Sequence, residues 1–150
     1  MALEIIINAL IIIGTFLFME GVAWFTHKYV MHGFLWVWHK SHHEPRKGRF
    51  ERNDLFAVVF SIPSIALFVL SERLTDTFYL YSLAIGVLLY GIFYVLFHDI
   101  LVHQRVKFRM KIGEGYLNRL VKAHYHHHKK HTKEGGESFG FLFAKKKYAK

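Results

Sequence analysis

The stretch FYLYSLAIGVLLYGIFYVLF, Phe78 to Phe97, runs for twenty residues without a charged side chain. As a helix it covers about 30 Å, the thickness of a bilayer's hydrocarbon core. Leu55 to Leu70 adds sixteen uncharged residues, and Ile5 to Phe25 is apolar apart from Asn8, Thr15 and Glu20. Apolar residues make up 53% of the chain, aromatics 17% and charged residues only 21%, which excludes an ordinary soluble domain. A length of 150 residues admits one domain. The N-terminal run lacks the basic flank and small-residue cleavage site of a secretory signal and reads as a retained helix. The expectation is an all-α integral membrane protein, residues 1–150 forming a single domain, with about three transmembrane helices and a fourth possible. Cysteine is absent, so disulfides, thiolate ligands and cysteine nucleophiles are excluded.

Gly33 offers a stop for the first helix. Asn53 and Asp54 are good N-caps for the second, which should reach about Ser71. Pro63 should kink it, with Ser61 or Ser64 satisfying the freed carbonyl. Glu72 to Thr77 reads as a tight turn, and the third helix should continue from Phe78 to His103.

Three spans put the 26–54 region and everything after residue 98 on one side. Nineteen of the twenty Lys and Arg lie in those two regions, Arg73 being the exception. The positive-inside rule makes that side cytoplasmic. The net charge of +9 is therefore a topology signal rather than a nucleic-acid footprint. Trp24, Tyr29, Trp36 and Trp38 suit an interfacial aromatic belt. Arg105, Lys107, Arg109 and Lys111 alternate with apolar residues, as in an extended segment lying on lipid headgroups; docking of an acidic electron donor is the sharper reading. Phe139 to Phe143, followed by Lys145, Lys146 and Lys147, reads most simply as an interfacial anchor, with a cover over an active site as the alternative.

All 12 histidines lie on the basic side. His27 and His32 form H-x4-H, and His39, His42 and His43 form H-x2-H-H. His98 and His103 repeat the first box; His124, His127 and His128 repeat the second. Six residues separate the boxes in the first copy and twenty in the second. On a helix, positions i, i+3 and i+4 fall within about 100° of arc, so each H-x2-H-H box presents three imidazoles on one face. Positions i and i+5 differ by about 140°, so an H-x4-H pair reaches two metals, or one if the helix is distorted. Ten ligands exceed the four of structural zinc and fit two metals that each keep an open position. Imidazole alone suits zinc, copper, iron or nickel. Asp99 and Glu20, the latter seven residues before His27, are candidates to hydrogen-bond the ligands, a polar contact between helices being the equal alternative for Glu20. His126 should point away from the His124 face, while His131 would share it if the helix continued.

These residues resemble a known family. His27-Lys28-Tyr29-Val30-Met31-His32-Gly33, Trp38-His39-Lys40-Ser41-His42-His43, Phe50-Glu51-Arg52-Asn53-Asp54-Leu55, His98-Asp99-Ile100-Leu101-Val102-His103 and Ser138-Phe139-Gly140-Phe141 look like the bacterial carotenoid 3-hydroxylases, the beta-carotene hydroxylases of the membrane fatty-acid and sterol hydroxylase superfamily. The resemblance runs from about residue 20 to 143. It implies a non-haem di-iron monooxygenase in the bacterial inner membrane, using molecular oxygen and electrons from ferredoxin and its reductase. Beta-carotene would be hydroxylated at C3 of each ring, through beta-cryptoxanthin to zeaxanthin. C3 adjoins the weaker allylic C–H bond at C4, so regiochemistry must come from positioning. No catalytic residue beyond the metal centre is visible.

The rival oxygenases are a carotenoid ketolase, a desaturase and a lipid hydroxylase. A metal-binding or transport protein would need ionisable ligands inside the spans, and the two uncharged runs contain none. A bis-His membrane cytochrome needs its histidines within the spans, and a zinc protease needs H-E-x-x-H, which is absent.

Overall fold

A computed structural model describes residues 1–46, 48–74, 78–106 and 112–149. Its helices are α1 (Ala2–Phe25), α2 (Trp36–His43), α3 (Leu55–Arg73), α4 (Phe78–Tyr94) and α5 (Tyr116–His128). The described residues contain no strand. Two π-helical segments extend the long helices: Thr26–Phe34 follows α1, and Val95–Val102 follows α4.

Three helical stretches are long and apolar enough to cross a membrane: Ala2–Phe34, Arg52–Arg73 and Phe78–Val102. The only buried residues of α1 are Glu20 and Ala23, while Ile5, Leu10, Ile13 and Leu17 face outward. That outward apolar surface suits a hydrocarbon solvent, where every backbone polar group must be satisfied within the helix. The possible fourth span is not found among the described residues. α5 has 13 residues, short of the roughly 20 needed, and buries one stripe beside the histidines.

α4 is central and packs against both α1 and α3. Polar side chains join the helices where water is scarce. Ser82 donates to Asn8 Oδ1 at 2.6 Å, and Ser64 donates across to the Ala84 carbonyl at 3.2 Å. Gly86 lets α1 approach closely: a Cβ there would lie 2.6 Å from Thr15 Cβ and 2.9 Å from the Ile12 carbonyl oxygen.

Several boundaries differ from expectation. Gly33 does break the first helix, with non-helical φ −102° and ψ −123°; what the spacing does not show is the π winding before it and the second helix after it. The chain widens into π geometry from Thr26, changes direction at Gly33 and forms α2 from Trp36, so the first histidine copy is carried by two helical segments on either side of that break. α3 runs continuously through Pro63, and neither nearby serine caps the freed carbonyl: Ser61 bonds the Val58 carbonyl, and Ser64 bonds α4. A capping arrangement of Glu51 and Asp54 starts α3 through the short turn Arg52–Asp54. α3 persists to Arg73, and positions 75–77 of the expected turn lie outside the described residues. Most of the alternating basic segment, 107–111, also lies outside them.

Candidate metal centre

The π-helical segments bring each H-x4-H pair together. A π turn is closed by an i→i+5 hydrogen bond, which brings residues five apart round to the same side, and such turns often mark functional sites. The His103 N–H donates to the His98 carbonyl at 2.9 Å, and Leu35 N–H to Val30 at 3.0 Å, both across five residues. His27 with His32, and His98 with His103, thus each serve a single group instead of straddling the helix.

The ten box histidines converge in two groups of five. One is His27, His32, His39, His43 and His127; the other is His42, His98, His103, His124 and His128. Within each group the facing nitrogens lie within 4.8 Å of one another. Each copy keeps four histidines and lends one to the other: His42 joins the second group and His127 the first. An H-x2-H-H box therefore serves two groups, with i and i+4 turned to one and i+3 to the other.

The hydrogen bonds fix where the ring protons are. In the first group all five Nδ1 atoms face oxygens that only accept: Phe139 O from His27 (2.8 Å), Lys133 O from His32 (3.0 Å), Asn53 Oδ1 from His39 (2.7 Å), Lys130 O from His43 (2.7 Å) and Glu137 O from His127 (2.8 Å). Each Nδ1 therefore carries the proton, leaving Nε2 with a bare lone pair. Yet Nε2 of His27 lies 3.0 Å from Nε2 of His39, and those of His32 and His127 are 3.2 Å apart. Lone pairs that meet without a proton repel, unless a cation sits between them. Two nitrogens bound at right angles to an ion at about 2.1 Å stand about 3 Å apart. The donor set fits a metal ion.

The second group repeats the convergence, with Nε2 separations of 2.9 Å for His42–His98, 3.2 Å for His103–His124 and 2.9 Å for His124–His128. Its outer partners differ. His98 donates to Asp99 at 2.7 Å and His42 faces Glu51 at 3.4 Å. Arg105 bonds Glu51 at 3.0 Å and Asp54 at 2.5 Å, and lies 3.8 Å from Asp99. One guanidinium thus ties together the carboxylates behind two histidines. His124 Nδ1 is buried with no partner among the described residues.

Burial, reinforced by neighbouring imidazoles, holds these rings neutral. It depresses His43 to about 4 and His103 and His127 to about 3. Neutral imidazole is the form that binds metal.

Asp99 occupies its expected place, but Glu20 does not bond His27. It accepts from Tyr90 and from the backbone of Phe141 and Leu142. Phe139 and Phe141 are buried against the histidines, so 139–141 covers the site, while Phe143 stays exposed. Of the aromatic belt, Trp24 and Tyr29 stay exposed, with Lys28 over both rings. Trp36 instead packs on His32 and His43, and Trp38 on Phe56. His126 points away and packs on Tyr148. α5 ends at His128, so His131 leaves the ligand face and donates to the His43 carbonyl at 2.6 Å. Asn53 and Glu51 as histidine partners, and Arg105 as the cation joining the carboxylates, are not apparent from spacing, because each bond crosses between segments.

Residues 12–145 match the fatty acid hydroxylase family, and the chain belongs to that family. It is 52% identical over 137 residues to a protein of Pantoea ananas named beta-carotene hydroxylase, covering 91% of this chain and 77% of that one. A protein of the same name from Pseudescherichia vulneris is 49% identical over 141 residues, covering 94% and 79%. Another, from Paracoccus sp. (strain N81106 / MBIC 01143), is 41% identical over 138 residues, covering 91% and 84%. No solved structure matches the chain significantly.

Proposed function

We propose that this chain is a membrane-embedded carotenoid hydroxylase that converts beta-carotene at ring carbon C3, through beta-cryptoxanthin, to zeaxanthin. The carrying observation is the convergence of ten histidines in two groups of five, with unprotonated Nε2 atoms meeting in the first, and the relatives' names supply the substrate class. Two iron ions are assigned to the groups, with His27, His32, His39, His43 and His127 on one and His42, His98, His103, His124 and His128 on the other. When bound, the iron pair supplies the redox chemistry that uses dioxygen, with electrons from ferredoxin, to replace C–H by C–OH.

The chain's own residues hold and shield that centre. The carbonyls of Phe139, Lys133, Lys130 and Glu137 fix ring orientation in the first group. The Phe139 and Phe141 rings lie against histidines and exclude water from that side. The histidines lie at the ends of apolar helices, where a hydrophobic ring can enter from the bilayer. C3 is chosen over the more reactive C4 by which carbon is held nearest the centre. The excess of Lys and Arg around the histidines supports a cytoplasmic position for them at the bacterial inner membrane, with residues 1–150 read as one hydroxylase domain.

The test is pigment analysis in a beta-carotene-accumulating bacterium expressing this chain, with His127→Ala as the control. Zeaxanthin and beta-cryptoxanthin that appear with the wild type and vanish with the variant support the reading. Unchanged beta-carotene, with the protein verified in the membrane and ferredoxin present, overturns it in favour of another lipid substrate. A 4-oxygenated product overturns the C3 assignment.

A further inference from the structure

Glu20 is a buried carboxyl on α1, 5% exposed, and no hydroxylation step described above employs it. It forms no ion pair among the described residues. Its oxygens are taken by three donors: Tyr90 O–H on Oε2 at 2.7 Å, and the Phe141 and Leu142 N–H groups on Oε1 at 2.8 and 2.9 Å. The backbone passes so close that a Cβ at Gly140 would fall on the carboxyl group. Gly140 and Glu20 are therefore fitted to each other, independently of the hydrogen bonds.

The segment Glu20 grips is the one that orients the first histidine group. Between residues 130 and 139 it gives four carbonyl oxygens to four of that group's five Nδ1–H donors. In the second group, His42 and His98 instead turn their Nδ1 atoms to Glu51 and Asp99. Phe139 lies two residues before Phe141 and Glu137 four, so the grip on Phe141 sets the register of both carbonyls.

We propose that Glu20 is a positioning residue that latches the segment after α5 over the first histidine group, so that metal retention by that group, and not by the second, depends on it. The inference rests on the metal-centre reading above. With its oxygens occupied by three donors, Glu20 does not act as a ligand. The latch needs an acceptor at Oε1 and no charge. A glutamine keeps that acceptor, and the Tyr90 hydroxyl can turn to accept from the new amide. An alanine releases the segment, and the four rings lose the oxygens that hold their orientation and tautomer.

The full chain and its Glu20→Ala, Glu20→Gln and Gly140→Ala variants would be purified in detergent and loaded anaerobically with ferrous iron. Iron per chain would be measured after gel filtration, alongside the rate of limited proteolysis within residues 129–142. The expected result is two irons for the wild type and Glu20→Gln. Glu20→Ala and Gly140→Ala should retain about one iron and be cut faster in the segment. Two irons and unchanged proteolysis in Glu20→Ala overturn the latch. Loss of both irons from Glu20→Ala and Gly140→Ala alike overturns its selectivity, and loss from Glu20→Gln equal to that from Glu20→Ala overturns the acceptor role. A folded wild type that holds no iron overturns the metal-centre reading itself, which keeps the two failures apart.

Discussion

His42 Nε2 stands 2.9 Å from His98 Nε2 across 56 residues of sequence, while its immediate neighbour His43 meets His39 at 3.2 Å. His127 mirrors it, meeting His32 at 3.2 Å while His128 meets His124 at 2.9 Å. His42→Ala should therefore deplete metal from the second group, although it lies in the first copy, and His127→Ala should deplete the first. Both should abolish hydroxylation. His126→Ala should leave metal content and activity largely intact, since that ring packs 5.4 Å from Tyr148 and away from the centre. Product analysis and metal content check all three, and equal losses at 126 and 127 would contradict the assignment.

Asp99→Asn should weaken metal binding by the second group. The carboxylate accepts from His98 at 2.7 Å, and removing such partners typically costs 10- to 100-fold in affinity or activity, so a loss of about that size is expected. Arg105→Met should act in the same direction, by leaving Glu51, Asp54 and Asp99 to repel one another. Competition with a graded chelator measures both, and the first group's affinity should change little.

The ten box histidines and their order were legible because chemistry was written at fixed spacing. The three spans were legible because long runs of apolar residues, with Glu20 the lone charge among them, have few other uses. The division of histidines was not legible, since ideal helical angles send His27 and His32 to different sides and only the π turns reunite them. Nor was the role of Glu20 decided: its helical face allowed a bond to His27 or a contact between helices, and its partners are Tyr90 on α4 and the backbone of 141 and 142. Phe139 to Phe143 has the composition of an interfacial anchor, and the burial of Phe139 and Phe141 follows from backbone hydrogen bonds that leave no trace in side-chain pattern.

The metal-free protein should lose stability as pH falls from about 6.5, the ordinary histidine value. In the folded state His43 is depressed to about 4 and His103 and His127 to about 3, so these rings stay neutral while the unfolded chain takes up protons. Their stabilising contribution is intact above 6.5, declines as pH falls below it, and is lost once pH has passed through the folded values. Melting temperatures of the metal-free protein in detergent between pH 8 and 4 should fall along that slope. A flat profile would show that burial does not hold the rings neutral.

Gly86→Ala should separate α1 from α4. The added methyl would meet Thr15 Cβ at 2.6 Å and the Ile12 carbonyl oxygen at 2.9 Å, and the backbone carbonyl cannot rotate aside. Overpacking of this kind costs about 1–3 kcal/mol. Denaturation in detergent should register it, with the iron content of the surviving folded protein unchanged.

His42 and His43 are consecutive residues on α2, and His127 and His128 are consecutive on α5. The two groups are therefore cross-tied at two points, each tie being a single peptide unit inside a helix. The spacing between the two histidine groups is gauged by hydrogen-bonded backbone, with no shared carboxylate among the grouped side chains to set it. A centre gauged in this way keeps its dimensions whichever molecule lies against its open positions, and half of the chain alone could furnish at most four of any group's five nitrogens.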